Sequence, residues 1–431
     1  MKRIWIEDLK NNPEGSVRLC GWVFNKRSSG KIKFLLLRDG TGVCQAVLSK
    51  FDVEPEVFEK YSDISIETSV CVIGKPKKEE RAAGGYELLI EDLEIIGASP
   101  EYPIGKKEHG IEFLLDQRHL WLRSSRQRAV QKIRHEVIRS ARDFFNERGF
   151  INVDAPVFTP NACEGTTTLF EVPYFDDRTA YLSQSGQLYN EATVMAHGKV
   201  YCFGPVFRAE KSKTRRHLTE FWQIEPEIAF IDIDENMELM EQMTEYIVKQ
   251  VIKNRKTELD ILERDVNVLS KIEAPFPRVS YTEAIDILKK SGHEIEWGDD
   301  FGAPDETALT EKFEKPVFIH RFPSAIKAFY MKEDPEDKRL SLGVDMLAPE
   351  GYGEVIGGGI REEDLTVLRQ KIKAHGLPEE MFSWFLDLRK YGSVPHGGFG
   401  LGIERTVTWL CGIRHVREAI AFPRTIVRLE P

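Results

Sequence analysis

The chain has 431 residues, 41% of them hydrophobic, enough to bury a sizeable core across two or three domains. Its 60 basic and 70 acidic residues leave a formal charge of -10, which excludes a uniformly basic nucleic-acid binder, so any phosphate contacts must come from locally concentrated cations. No apolar run approaches a membrane span and the N-terminus lacks a signal-peptide core, so a soluble, cytoplasmic protein with no membrane contact is expected.

Residues 1–100 carry short β-like runs at Val17 to Val23, Ile32 to Leu37, Val43 to Leu48, Ser69 to Gly74 and Glu87 to Ile96. Turn signals separate them, at Ser28-Ser29-Gly30, Asp39-Gly40-Thr41-Gly42 and Ala83-Gly84-Gly85, and a helical stretch near Pro55 to Tyr61 divides the third from the fourth. This spacing predicts a Greek-key barrel of the OB type, a fold suited to single-stranded nucleic acid. Residues 16–38 supply the local cations: Arg18, Lys26, Arg27, Lys31, Lys33 and Arg38, with no acid among them. Phe34, set between cations, reads either as a base-stacking platform or as an ordinary core phenylalanine. Cys20, Cys44, Cys71, Cys163, Cys202 and Cys411 are scattered with no C-x-x-C pair, so reduced structural thiols are expected.

Residues 101–126 read as a hinge, and 127–431 as a second domain of α+β class. Val130, Ile133, Val137, Ala141, Phe144 and Phe145 fall at helical spacing ahead of Gly149, and Phe150 to Pro160 reads as an extended strand. Ser185-Gly186-Gln187-Leu188-Tyr189 opens another helix; Met237 to Lys256 and Tyr281 to Gly292 are helical within an apparent insertion at about 236–340. The most informative stretch is Phe207 to Glu227. Arg208, Lys211, Lys213, Arg215 and Arg216 crowd its first half against Glu210 and Glu220. Its second half alternates Phe221, Gln223 and Glu225 with Trp222, Ile224 and Pro226, which puts one polar row on one face of a returning strand. A basic hairpin of this kind suits a polyphosphate; a solvated charged turn is the plain alternative.

Phe-Arg-x-Glu, a variable basic loop and His-Leu-x-Glu-Phe resemble the second signature motif of class II aminoacyl-tRNA synthetases. Gly400-Leu401-Gly402-Ile403-Glu404-Arg405 resembles the third, and the long helix followed by a strand with Pro156 is similar to the first, which forms a homodimer interface in that family. The subgroup resembled is the aspartyl, asparaginyl and lysyl one, over essentially the whole chain. G-W-V…F-x-x-L-R-D-x-x-G-x-x-Q is similar to its anticodon-binding domain, implying anticodon contacts at Arg27, Phe34 and Gln45.

The resemblance implies ATP as a substrate with Mg²⁺ held by Asp345 and Glu354. It places Arg208 between the amino-acid carboxylate and the α-phosphate, and Arg405 on the γ-phosphate. Those two and Glu354 form the implied catalytic set. ATP contacts are further implied at Glu210, His217, Leu218, Phe221 and Gly402, and amino-acid contacts at Glu164, Ser185, Gln187, Asn190, Glu225 and Arg361. Arg361 matches an arginine aimed at the side-chain oxygen of aspartate or asparagine, whereas Asn190 and Glu225 stand where aspartyl members carry Lys and Asp. A carboxylate beside the substrate side chain accepts from a carboxamide and repels a second carboxylate. The implied substrates are therefore L-asparagine and tRNA(Asn). The alternatives on this fold are an aspartyl enzyme that charges two tRNAs and an amide ligase that forms free asparagine.

Overall fold

The computed structural model describes residues 2–12, 14–105, 107–160, 163, 168–212 and 214–431. They form two compact units, Met1–Ile111 and Glu112–Pro431. The division falls within the stretch read as a hinge, where helices Ile111–Asp116 and Arg118–Trp121 stand.

Each strand expected in the N-terminal unit forms: β1 (Val17–Ser29), β2 (Ile32–Arg38), β3 (Val43–Ser49), β4 (Ser69–Lys78) and β5 (Tyr86–Gly97). Among the described residues these five close into a ring in the order β1-β2-β3-β5-β4, with β4 returning to β1. β1 runs past the expected Val23 because a bulge between Val23 and Asn25 bends it, so Val17–Trp22 pairs with β4 and Trp22–Ser29 with β2. Alternate residues fill the ring: Leu35 and Leu37, Cys44, Ala46 and Leu48, Val70 and Val72 are all fully buried. Cys20 and Cys71 face each other across the β1·β4 register and are joined as a disulfide, which corrects the expectation of reduced thiols. Cross-strand neighbours need no characteristic spacing in sequence, so the lack of a C-x-x-C pair carried no information about them. Cys44, Cys163, Cys202 and Cys411 lie outside that disulfide and are buried.

The second unit is built on a sheet of eight strands among the described residues. In chain order they are β6 (Ile151–Asn152), β7 (Lys199–Phe207), β8 (Glu220–Ala229), β9 (Arg278–Ser280), β10 (Val317–His320), β11 (Gly343–Ala348), β12 (Gly353–Ile360) and β13 (His396–Gly402). The spatial order is β9-β10-β11-β12-β13-β8-β7-β6, antiparallel except for a parallel pair at each edge. The stretch from Phe150 to Pro160 is not one strand: Ile151–Asn152 joins β7, whereas Phe158–Thr159 joins a small separate sheet, with Pro156 between them unable to donate to a ladder.

Helix α1 (Ser125–Glu147) starts where Ser124 accepts a hydrogen bond from the Gln127 amide, and its chain turns away at Gly149 with φ 75°. α2 (Gln187–His197) follows the expected Ser185-Gly186 start. α3 (Ile233–Asn254) begins before the expected Met237 because Asp232 and Glu235 form a reciprocal capping box there. Val130, Ile133, Val137, Phe144 and Phe145 of α1 pack with Met237, Met240, Met243 and Ile247 of α3 against Ile224, Ile356, Phe399 and Leu401 of the sheet. Each such side chain contributes about 1.5–3 kcal/mol of burial. The buried Arg118 guanidinium ties the start of this unit to its end, donating to the carbonyls of Ala421 (2.7 Å), Ile420 (2.6 Å) and Glu418 (3.4 Å).

Candidate active site

The alternation read from the sequence holds in β8. Ile224 and Ile228 join the core, whereas Phe221, Gln223, Glu225 and Glu227 line a cavity of about 620 Å³ on the other face. The same cavity is lined by Ser185, Gln187, Arg208, Glu210, His217, Leu218, Asp345, Glu354, Arg361, Gly402 and Arg405. Motifs almost 200 residues apart in sequence thus meet because β8 pairs with β13, Gln223 opposite Gly402. Glu164 lies outside the described residues. Asn190 is buried and absent from the cavity lining; its amide donates to the backbone oxygen of Glu225 (2.8 Å) and contacts Cys202 Sγ (3.2 Å), so it props the strand from behind.

One end of the cavity is cationic. Arg208 sits 5.5 Å from the Phe221 ring centroid and donates to the Gln184 carbonyl. Arg405, in the first turn of α4 (Ile403–Cys411), donates to Glu354 Oε2 (3.1 Å) and to its carbonyl (3.0 Å). Its neighbour Glu404 serves the frame, accepting from the Trp222 amide (3.0 Å) and pairing with Arg134 (2.8 Å). His217 contacts Ser212 Oγ (3.1 Å) and Thr214. Glu210 Oε1 and Gln223 Oε1 are buried without a hydrogen-bond partner among the described residues, two acceptors in the cavity that a bound donor could satisfy.

Carboxylates crowd next to these cations. Asp345 pairs with Lys327 (2.7 Å) and Glu354 with Arg405, while Glu306 pairs with Arg216 (2.7 Å). Burial, followed by repulsion from Glu354, pushes Glu306 up to about 7. Burial and Glu354 likewise push Asp345 up, against the pull of Lys327. Asp345 and Glu354 converge over Gly357, where a Cβ would come within 2.9 Å of Glu354 Oε1 and 3.4 Å of Asp345 Oδ1. Only glycine leaves that space open. Paired oxygen donors that repel each other around a gap fit a hard divalent cation such as Mg²⁺.

The other end is buried and paired. Arg361 Nε and Nη2 each donate to a Glu227 oxygen at 2.9 Å, a bidentate pair with both side chains almost fully buried. Among the described residues, Arg361 Nη1 meets the Met331 sulfur at 4.0 Å. Ser185 Oγ and the Gly186 amide (2.9 Å) donate to Glu225, yet burial still pushes its carboxyl up. Glu227 and Lys327 were not singled out from the sequence. Glu227 merely continues the alternation of Phe221, Gln223 and Glu225, so its position was legible; nothing local marks Lys327.

In the N-terminal unit, Arg27 lies 4.1 Å over the Phe34 ring and donates to Gln45 Oε1 (3.1 Å), while Gln45 donates to Glu87. Lys26 and Lys33 approach the Tyr61 ring at 4.8 and 5.2 Å. Phe34 is partly exposed, its ring on the outer side of β2 with Leu35 and Leu37 pointing inward.

Known proteins share both units. Residues 110–426 match the family of class II tRNA synthetases (D, K and N), and 17–96 match an OB-fold nucleic acid binding domain. The asparagine–tRNA ligases of Desulforamulus reducens and Thermus thermophilus are 56% and 52% identical, each over all of both chains. A crystal structure of asparaginyl-tRNA synthetase from Pyrococcus horikoshii complexed with asparaginyl-adenylate superposes with a TM-score of 0.97 at 47% identity, covering the whole of both chains. No described helix is long and apolar enough to cross a membrane. A cleft on an antiparallel sheet that sets Arg208 and Arg405 among carboxylates, a buried arginine–carboxylate pair in the same cleft and full-length identity above one half place the chain in the class II tRNA synthetase family, among its asparagine–tRNA ligases.

Proposed function

We propose that the chain activates L-asparagine with ATP and transfers the asparaginyl group to the 3′ end of tRNA(Asn), working as a cytoplasmic homodimer. One observation carries the reading: a single cavity joins Arg208 and Arg405 at one end to the buried Arg361–Glu227 pair at the other. An α-carboxylate oxygen of asparagine attacks the α-phosphorus, and the bond to the departing pyrophosphate breaks. Both reactants are anions, so catalysis rests on orientation and fixed positive charge. Arg208 bridges the attacking carboxylate and the α-phosphate, and Arg405 takes the γ-phosphate. Phe221 stacks the adenine, with Glu210 at its edge; His217 contacts the phosphate tail, and Leu218 and Gly402 complete the ATP site. Asp345 and Glu354 would hold Mg²⁺, which when bound offsets phosphate charge.

The side-chain amide fits the paired end. Its oxygen accepts from Arg361 and its NH₂ donates to the carboxylates of Glu227 or Glu225, whereas an aspartate side chain would meet those carboxylates as a third anion. Gln187 and Ser185 bound the same end. Arg27, Phe34 and Gln45 contact anticodon bases, with Phe34 as the stacking ring. Exposed Phe158 and Phe175, each in ring contact with exposed Tyr174, supply an apolar surface for the homodimer. Charging total tRNA with labelled asparagine and labelled aspartate tests the reading. Asparagine alone should be esterified; aspartate charging, or release of free asparagine from aspartate and ammonia, would overturn it.

A further inference from the structure

Behind the amino-acid end lies a second layer of charge that the reaction above leaves unused. Glu191 of α2, Arg389 of helix Ser383–Lys390 and His396 at the start of β13 are all fully buried. Glu191 is their hub. It accepts from Arg389 Nη2, contacts His396 Nε2 (3.1 Å) and accepts from the Gln187 side-chain amide (3.0 Å), the Gln187 that lines the cavity. Burial alone would raise the Glu191 carboxyl, but Arg389 and His396 hold it at about 2. Arg389 Nε is fixed by the Glu362 carbonyl (2.9 Å), and the His396 carbonyl accepts from the Arg361 amide (2.9 Å), so the layer is tied to the backbone on both sides of the specificity arginine.

His396 Nδ1 faces the Val394 carbonyl at 2.7 Å while Nε2 faces the Glu191 carboxylate. Both partners are acceptors, so the ring is held between the backbone and Glu191. The charged groups facing it are Glu191 and Arg389, and Glu227 and Arg361 on the cavity side. Donor atoms of Glu191, Glu227 and His396 lie within 4.8 Å of one another, a spacing that could hold a metal, but Arg389 and Arg361 already neutralise the two carboxylates. The cluster is a charge array. In this low-dielectric setting one unit of charge added or removed is felt by the Arg361–Glu227 pair.

We propose that Glu191, Arg389 and His396 are positioning residues that set the charge presented to the substrate side chain, and thereby the preference for a neutral carboxamide over a carboxylate. Glu191 does this twice, by orienting Gln187 and by setting its negative charge against Arg389 behind Arg361. The inference rests on the proposed placement of the asparagine side chain at Arg361 and Glu227.

Opposite signs are the test. ATP–pyrophosphate exchange is measured with asparagine and with aspartate, giving the ratio of their kcat/KM values. Glu191→Gln keeps a contact to Gln187 but removes a negative charge, so the ratio should shift toward aspartate by about tenfold. Arg389→Met removes a positive charge and should shift it further toward asparagine. Glu191→Gln with Arg389→Met removes one charge of each sign and should leave the ratio within about threefold of the parent. A structural role alone would lower asparagine use in every variant without opposite shifts of the ratio. Should Glu191→Gln not fold, the other two variants decide. An unchanged ratio, or a move toward aspartate, in Arg389→Met overturns the proposal, as does a shift beyond threefold in the double variant. If Arg361→Lys leaves asparagine activation intact, the side-chain placement fails instead; loss in that variant with an unmoved ratio elsewhere sinks only the charge layer.

Discussion

Arg208 and the Arg361–Glu227 pair ask different things of a guanidinium. At Arg208 the fork must meet two anions together, so Arg208→Lys, which keeps charge but loses the fork, should raise the barrier to adenylate formation by about 2–4 kcal/mol. Exchange kinetics check this, and near-parental rates would remove Arg208 from the reacting centre. At Arg361 the fork is spent on Glu227 inside the protein. Glu227→Ala would leave that cation buried and unpaired, and stability should fall by about 3–5 kcal/mol, read from urea unfolding. Glu306 is the opposite case, an acid whose ionisation the fold resists. With its carboxyl raised from 4.5 to about 7, the folded chain keeps a proton that the unfolded chain has released within that window. The associated stability is complete below the window and declines as pH rises through it. Urea midpoints over roughly pH 5 to 8 should therefore fall less steeply in Glu306→Gln than in the parent.

At the scale of elements, how much was legible depends on whether a signal was local. Period-two alternation announced β8 and the face it turns to the cavity, and five short runs with their turns announced the barrel. Helix starts were less exact, since α3 depends on Asp232 and Glu235 trading hydrogen bonds rather than on its apolar stripe. Asp232→Ala should cost about 1 kcal/mol of stability in thermal unfolding, with exchange kinetics unaltered. Pairing partners could not be read at all: Lys327 on Asp345, Arg216 on Glu306 and Asn190 behind Glu225 follow from sheet register, as does the Cys20–Cys71 link. Asn190 shows the cost of reading a residue type without its neighbours, because its amide is committed to the backbone and does not reach the cavity.

For the whole molecule, the separation into two units predicts separable losses. Phe34→Ala should weaken tRNA charging by about 1–3 kcal/mol of stacking and leave ATP–pyrophosphate exchange untouched, a contrast that equal losses in both assays would refute. The Arg118 bonds to the carbonyls of residues 418–421 bear on how the protein is made. A ribosome extends the chain at about 5–20 residues per second, so the cation at 118 waits tens of seconds for its acceptors to leave the exit tunnel. Until then the α1 end of the second unit lacks the groups that satisfy its buried guanidinium, and a nascent chain stalled before residue 418 presents it to solvent or to a chaperone.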